Sequence, residues 1–250
     1  MLLHTMMLTR VTQAVFLPEA SDYISRGPEE TLSLCTPVEK SLFVLGLQEA
    51  AKVHSLPISV GIHEPSDDQD SKRIKNTLIW IDEKGQITQR YQKVHLFDLE
   101  MENGPQMKES NTIEPGNEIL PPFETAVGKV GSMICFDLRF PEISLALKRQ
   151  KADIILYPSA FTVPTGKAHW HSLIRARAIE CQAYVIAAAQ VGAHHDKRSS
   201  YGHSIIVDPW GEILAELGGE KKDEPEIIFA EIDLDYVQTV RKQQPLLRRT

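Results

Sequence analysis

The sequence is poor in cysteine, and its three cysteines show no pairing pattern. Cys35, Cys135 and Cys181 are far apart in the 250-residue chain, and none belongs to a C-x-x-C motif. An odd number of widely spaced cysteines argues against a disulfide framework and against a cysteine-ligated zinc site. We therefore expect a reducing compartment: a cytoplasmic location, with the mitochondrion as the alternative.

An excess of positive charge is also missing. The formal net charge is −7 and the pI is about 5.7. Because phosphate binding requires a basic face, no nucleic acid is expected as a partner. The basic residues between Arg241 and Arg249 are interpreted as a solvated last turn. No apolar run has the length of a membrane span, and residues 1–13 lack the apolar stretch of a secretory signal, so no membrane partner is expected.

The chain has no internal repeat, no low-complexity tract and no linker-like segment, which favours a single core. Helical patterns occur at 31–55, with a break expected at Pro37, at 168–181 and from Pro141 onwards. Strands are predicted at 14–17, 58–62, 77–81, 86–91, 129–134, 153–157, 184–190, 204–208, 212–215 and 227–232. Residues 93–116 are interpreted as a long loop. Alternating helices and strands predict an α/β layered fold, and the turns at 82–85 and 209–211 predict hairpins, so the sheet is not purely parallel.

Cys135 stands where an apolar strand meets a turn, before the helix that starts near Pro141. This arrangement can lift a side chain out of a sheet and surround it with backbone N–H groups. A buried structural cysteine is the alternative, and it is favoured when Cys135 is considered alone. A catalytic thiol also needs a base, because only a few per cent of a thiol with its usual pKa is ionised at neutral pH.

The nine histidines do not supply an obvious base, since none has a spacing that singles it out. His194 and His195 precede Asp196, but adjacent histidines point apart, so a metal site is not predicted there. Two other segments carry suitable groups. Glu19 follows an apolar strand, at the sheet edge where α/β sites form, and Lys93 lies between a hairpin strand and the long loop. Each of these signals is weak, because charged residues at strand ends are usually solvated.

Several motifs occur together in one order: FLPEA at 16–20, YQKVHLFD at 91–98, GSMICFDLRFPE at 131–142, YPSAF at 157–161, HW at 169–170, RARAIE at 175–180 and YGHSIIVDPWG at 201–211. From Val15 to the C-terminus they closely resemble the nitrilase superfamily of carbon–nitrogen hydrolases. HHDKRSSYGHS at 194–204 and ESNTIEPG at 109–116 resemble its Nit branch, particularly the deaminated glutathione amidases. The ω-amidase sister group shares much of both stretches.

The resemblance implies a fold and an assembly. The fold is an α/β four-layer α-β-β-α sandwich of the nitrilase type, assembled as a homodimer. Residues 1–14 are too short for the family's first strand and helix and do not resemble them, so both are expected to be absent. Residues 15–250 would form the carbon–nitrogen hydrolase domain. No metal and no organic cofactor is implied.

The resemblance also implies a Glu–Lys–Cys triad. Its motifs assign the base to Glu19, the oxyanion partner to Lys93 and the nucleophile to Cys135, with a second family glutamate at Glu109. We expect Glu109 to keep Lys93 charged, and we expect the two carboxyl groups to raise each other's pKa. The Phe136 N–H is the second candidate donor to the oxyanion.

Further residues are candidates for binding substrate. Arg139 could clamp a carboxylate, with a salt bridge to Glu142 or Asp137 as an equal alternative. His169, Trp170 and Ser159 are candidates for the pocket wall, and packing is the alternative for Trp170.

The expected reaction is cleavage of a C–N amide bond in a small carboxylated α-keto amide through a cysteine thioester. Deaminated glutathione is the first candidate substrate, which would yield 2-oxoglutarate and cysteinylglycine. An ω-amidase acting on α-ketoglutaramate is the alternative within the enzyme class. Outside that class, the alternative is a truncated, inactive paralogue that acts as a binding or assembly partner.

Overall fold

A computed structural model describes residues 12–68, 70–99 and 107–247. Within these ranges the α-helices are α1 (Pro28–Leu34), α2 (Leu42–His54), α3 (Pro141–Arg149), α4 (Val163–Cys181) and α5 (Leu234–Gln243). Three 3₁₀ turns cover Val38–Lys40, Glu109–Asn111 and Cys135–Arg139.

Two mixed β-sheets form the centre of the fold. The first contains β1 (Val15–Phe16), β2 (Ile58–Pro65), β3 (Ile74–Ile81) and β4 (Ile87–Gln92), in that order. The second has the order β14-β13-β10-β9-β8-β7 and contains β7 (Phe123–Thr125), β8 (Gly128–Ser132), β9 (Ile154–Leu156), β10 (Tyr184–Ala187), β13 (Ile205–Val207) and β14 (Ile213–Glu216). Two ribbons complete the strands: β5 (Asp98–Leu99) with β6 (Met107–Lys108), and β11 (Val191–His195) with β12 (Arg198–Tyr201).

Alternation of side chains along β3 separates two layers of core. Ile79 and Ile81 pack in one cluster with Val44 and Ala51 of α2. Leu78, on the opposite face, belongs to the larger cluster of the second sheet. That cluster also contains buried residues of α3 and α4, including Leu147 and Ile174. The chain thus forms the expected four layers: helix, sheet, sheet, helices.

Most predicted elements are present, and three need correction. The predicted strand at 227–232 is wrong: no strand of the described chain pairs with it, and none of its residues is buried. The Ile232 side chain packs on the core. The segment therefore has the apolar sequence pattern of a strand but, within the described residues, no backbone hydrogen bonds to a neighbouring strand. Helix α4 begins at Val163 rather than at 168, with proline in its first turn. The loop at 93–116 contains the β5–β6 ribbon and a 3₁₀ turn.

The basic end of the chain is not fully solvated. Arg241 of α5 donates hydrogen bonds to the Ala152 and Gln182 carbonyl oxygens and lies 3.3 Å from an Asp153 carboxylate oxygen. It therefore ties α5 to the start of β9. The expected lack of a first strand and helix concerns residues 1–14, and residues 1–11 lie outside the described part of the chain. None of the described helices has both the length and the apolar character needed to cross a membrane.

Candidate active site

Glu19 is placed by the end of the short edge strand β1. This strand pairs in parallel with β2, and the Gly61 N–H donates to the Pro18 carbonyl oxygen at 3.0 Å. A Cβ atom on Gly61 would lie only 2.6 Å from the Glu19 Cα. Only glycine allows this close backbone approach. The contact carries Glu19 inward, where the residue is 4% exposed.

Lys93 follows β4 directly and points into the space between the sheets. Its N–H donates to the Asn76 carbonyl oxygen of β3 at 2.9 Å, which continues the hairpin ladder by one residue. The residue is only 2% exposed. A lysine buried this deeply needs paired charges, because an isolated buried ammonium is strongly destabilising.

Cys135 begins the 3₁₀ turn after β8. Its N–H donates to the Pro158 carbonyl oxygen at 3.0 Å, and its φ is 46°, in the left-handed region that non-glycine residues rarely occupy. The residue is 7% exposed. The strained strand-to-turn geometry matches the sequence expectation of a raised side chain at this position.

The structure brings the four predicted residues together. The Lys93 ammonium donates to Glu19 Oε1 at 2.9 Å and to the two Glu109 oxygens at 3.0 and 2.9 Å. The second Glu19 oxygen accepts the Ala160 N–H at 2.8 Å. The Glu19 carboxylate also lies near enough to the Cys135 thiol to raise the pKa of the thiol. One ammonium is therefore shared by two carboxylates, and one of these carboxylates also faces the thiol.

The electrostatics fix the resting protonation states. Burial raises the pKa of Cys135, and the Glu19 carboxylate raises it further, so the sulfur keeps its proton. Burial also opposes ionisation of Glu19, but the charge and hydrogen bond of Lys93 outweigh it and lower the pKa of Glu19. The expectation that the two carboxyl groups raise each other's pKa is therefore wrong for Glu19. Burial favours neutral Lys93, yet Glu109 and then Glu19 raise its pKa well above the ordinary value.

Asn76 is a site residue that the sequence reasoning missed. Its side-chain amide donates to Glu19 Oε1 at 2.8 Å and to Glu109 Oε1 at 3.2 Å, while its backbone holds Lys93. The residue is 3% exposed. The signal that could have revealed it is positional: Asn76 shares the inward face of β3 with Leu78 and Trp80, where a polar side chain requires a buried partner.

Asp137 connects the two segments that carry the lysine and the cysteine. Its fully buried carboxylate accepts hydrogen bonds from the Tyr91 hydroxyl at 2.8 Å, the His95 N–H at 2.9 Å and the Ile134 N–H at 3.0 Å. His95 Nδ1 also lies 2.9 Å from it. Tyr91 and His95 flank Lys93, and Ile134 precedes Cys135, so Asp137 fixes the spacing between the two functional groups.

Arg139 faces the site and not a carboxylate of the chain. No carboxylate oxygen within the described ranges lies at ion-pair distance from it, which removes the expected alternative of a salt bridge to Glu142 or Asp137. Its guanidinium lies 3.3 Å from His169 Nδ1 and 5.6 Å from the ring centres of Phe136 and Phe161. Burial lowers the pKa of Arg139, and the nearby Cys135 opposes this effect.

The structure places Ser159 and Trp170 in the core and not on a pocket wall. The Ser159 hydroxyl donates to the Tyr157 carbonyl oxygen, and the residue is fully buried. The Trp170 indole N–H donates to the His203 carbonyl oxygen at 2.8 Å, and its ring packs against Phe161. Both side chains stabilise the backbone that they contact. Their hydrogen-bonding groups are already used inside the protein.

Two surface cavities lie within the described part of the chain, and Cys135 lines neither of them. One of about 440 Å³ is lined by Val94, His95, Phe140 and Glu142, among others. Another of about 590 Å³ lies between β1 and the segment 217–229. The segment 100–106, which separates β5 from β6, lies outside the described residues.

Comparison with protein families gives a match to the carbon-nitrogen hydrolase model over residues 4–242. A "probable hydrolase nit2" of Schizosaccharomyces pombe is 48% identical over 238 residues, which are 95% of this chain and 85% of the relative. A "deaminated glutathione amidase" of Bos taurus is 45% identical over 93% of this chain and 70% of the relative.

Solved structures show the same relationship. The NitFhit protein of C. elegans superimposes with a TM-score of 0.86 at 42% identity, over 95% of this chain and 57% of that chain. Saccharomyces cerevisiae Nit3, described as a member of branch 10 of the nitrilase superfamily, gives a TM-score of 0.81 at 34% identity, over 95% of this chain and 83% of that one. The chain therefore belongs to the carbon–nitrogen hydrolase family of the nitrilase superfamily.

Proposed function

We propose that the chain is a thiol amidohydrolase that cleaves the amide bond of deaminated glutathione, and that Cys135 is its nucleophile. The observation that carries the proposal is the position of Glu19, which accepts a hydrogen bond from the Lys93 ammonium at 2.9 Å and lies near enough to the Cys135 thiol to raise its pKa. Family membership and the amidase relatives support carbon–nitrogen hydrolysis.

The resting charges support a concerted first step. The Cys135 thiol holds its proton and Glu19 is ionised, so sulfur attacks the amide carbon as its proton moves to Glu19. The carbonyl electron pair moves to oxygen, and the resulting oxyanion accepts hydrogen bonds from the Lys93 ammonium and the Phe136 N–H. The Phe136 N–H lies in the first turn of the 3₁₀ segment, where amides have no intrahelical partner. One such preorganised donor typically contributes about 10²–10³ in rate.

Collapse of the tetrahedral intermediate completes the acylation. The oxyanion electrons re-form the carbonyl, the C–N bond breaks, and Glu19 gives its proton to the leaving amine. Glu19 then removes a proton from a water molecule that attacks the thioester. A second tetrahedral intermediate expels the Cys135 sulfur, which regains the proton from Glu19. The products are a carboxylic acid and an amine, and the enzyme returns to its starting state.

Arg139 supports a substrate that carries a carboxylate. Its guanidinium lacks a carboxylate partner within the described ranges. It lies 3.3 Å from His169 Nδ1 and near enough to Cys135 for the two side chains to interact electrostatically. A planar guanidinium can hold a carboxylate through two parallel hydrogen bonds. Deaminated glutathione and α-ketoglutaramate both carry such a group, so ω-amidase activity is the second candidate.

The test is hydrolysis followed by mass spectrometry. Purified chain is incubated with deaminated glutathione or with α-ketoglutaramate, and Cys135→Ala and Cys35→Ala serve as matched variants. We expect 2-oxoglutarate and cysteinylglycine from the first substrate, loss of product in Cys135→Ala, and retention in Cys35→Ala. Faster turnover of α-ketoglutaramate would assign the ω-amidase function. No turnover of either substrate would favour an inactive binding or assembly partner. Light scattering of the same samples tests the proposed homodimer.

A further inference from the structure

Two histidines and a glutamate converge on one point outside the candidate active site. His171 Nε2 lies 2.7 Å from Glu216 Oε1, and His203 Nδ1 lies 2.6 Å from the same oxygen. The three potential ligand atoms lie within 4.8 Å of one another. They come from three separate elements: helix α4, the turn before β13, and the edge strand β14.

The backbone holds His203 in place for this convergence. Its φ is 59°, a left-handed conformation that is unfavourable for a residue with a side chain. Trp170 donates to its carbonyl oxygen at 2.8 Å, and Tyr201 stacks on its ring with centroids 4.2 Å apart. A Cβ atom on Gly219 would lie 2.7 Å from its Nε2, so the second ring nitrogen is also closely packed. Such preorganisation lowers the cost of ordering a ligand.

We propose that His171, His203 and Glu216 form a binding site for a divalent transition-metal ion of the zinc class. Two imidazoles and one carboxylate are a donor set that suits zinc, with a fourth position open to water. A tetrahedral site with bonds of about 2.0–2.2 Å separates its ligand atoms by roughly 3.4 Å. The two imidazole nitrogens therefore need to move less than an ångström from the glutamate oxygen. All three side chains are partly exposed, at 35%, 25% and 27%, so an ion can enter and they can adjust.

The site is separate from the hydrolytic chemistry and does not depend on the proposed function. Its three residues include none of Glu19, Lys93, Glu109 or Cys135. A bound ion would fasten α4 to β14 at the edge of the second sheet. His169, the neighbour of Arg139, lies on the same helix just before the buried Trp170. The ion would thus stabilise the helix behind the Arg139 side chain.

The experiment uses the full chain with Cys135→Ala, so that the active-site thiol does not bind metal. Metal-free protein is titrated with Co²⁺, whose visible absorption reports tetrahedral coordination, and with Zn²⁺ in a thermal melt. We expect one equivalent of Co²⁺ with an absorption band that Zn²⁺ removes, and a higher Tm with Zn²⁺. His203→Gln or Glu216→Gln should weaken binding by at least about 100-fold, since loss of an outer partner alone costs 10–100-fold.

Two controls keep the result interpretable. His194→Gln removes a histidine of the adjacent His194–His195 pair and should leave binding unchanged. Circular dichroism of each variant without metal checks that the fold is retained. Unchanged binding in both His203→Gln and Glu216→Gln, or loss of binding only in His194→Gln, would overturn the proposal. The absence of saturable binding would show that the three groups form only a hydrogen-bonded cluster, which would also overturn it.

Discussion

The Asn76 side-chain amide lies 2.8 Å from Glu19 Oε1 and reaches Glu109 with the same nitrogen. It thereby holds apart two carboxylates that share one ammonium. Replacing Asn76 with alanine removes a donor from both and leaves a void in a buried polar network. We expect Asn76→Ala to lower kcat at least about tenfold, within the range for lost positioning groups, with KM changed much less.

The control is Asn117→Ala, which alters an exposed asparagine whose side chain makes no hydrogen bond to Glu19 or Glu109. It should leave the kinetics unchanged. A pH–rate profile adds a second test, because losing a hydrogen bond to ionised Glu19 should move the acid limb toward higher pH. Equal profiles for wild type and Asn76→Ala would contradict this role.

Lys93→Met tests the buried ion network. The substitution leaves Glu19 and Glu109 without their cation, and breaking one side of a buried pair costs about 3–5 kcal/mol of unfolding free energy. We expect a loss of this size at pH 7, measured by urea denaturation, together with loss of hydrolysis. Lys84→Met, at an exposed hairpin position, should change stability by less than about 0.5 kcal/mol.

The effect of Lys93→Met on stability should also depend on pH. The folded-state pKa of Glu19 is lowered from the ordinary value of 4.5, so its stabilisation is complete above that value and is lost as pH falls through the folded-state pKa. The stability advantage of wild type over Lys93→Met should therefore shrink below about pH 4.5. Denaturant midpoints at pH 7, 5 and 4 measure it, and a constant gap across this series would contradict the network.

Asp137→Asn tests the connection between the lysine and cysteine segments. An amide cannot accept all the hydrogen bonds that the carboxylate receives, and its NH₂ group faces other donors. We expect a destabilisation of about 2–4 kcal/mol and reduced hydrolysis. Asp235→Asn, at an exposed helix position, is the matched change. If both variants unfold at the wild-type denaturant concentration, Asp137 does not have this role.

Gly61→Ala tests the close approach beneath Glu19. The new Cβ would lie 2.6 Å from the Glu19 Cα, so the β1 end must shift, and we expect lower stability and lower activity. Gly46→Ala is the matched control in mid-helix α2, where a Cβ would meet nothing within 4 Å. It should stabilise the protein by about 0.5–1 kcal/mol. Similar Tm changes of the same sign in the two variants would argue against the close approach.

The sequence predicted the layers and the site for different reasons. Short β-branched runs and the turn at Gly85, whose φ is 77°, are local signals, and they located most strands. The proposed triad came from motifs and not from spacing, because nothing local indicates that Glu19 and Lys93 meet across 74 positions of chain. The strand predicted at 227–232 failed because apolar periodicity reports side-chain burial and not backbone pairing.

Residues that act through long-range hydrogen bonds could not be predicted. In the sequence, Asn76 looks like an ordinary strand residue and Asp137 looks like an ordinary turn residue. Their roles depend on hydrogen-bond partners up to 57 positions away. The His171–His203–Glu216 cluster is similar, since its members lie on three elements that only the folded sheet edge brings together. The reversed pKa direction of Glu19 depends on the position of the Lys93 ammonium between the carboxylates.

The left-handed backbone at Cys135 is strained, and this strain lowers the stability of the folded chain. A glycine there would relieve the strain, which costs of order 1–3 kcal/mol at such positions, whereas alanine would keep it. A screen that ranks variants by heat resistance alone would therefore favour glycine at position 135 and select a more stable protein that lacks the proposed nucleophile. Substitutions chosen to raise the thermal stability of this protein should therefore leave position 135 unchanged.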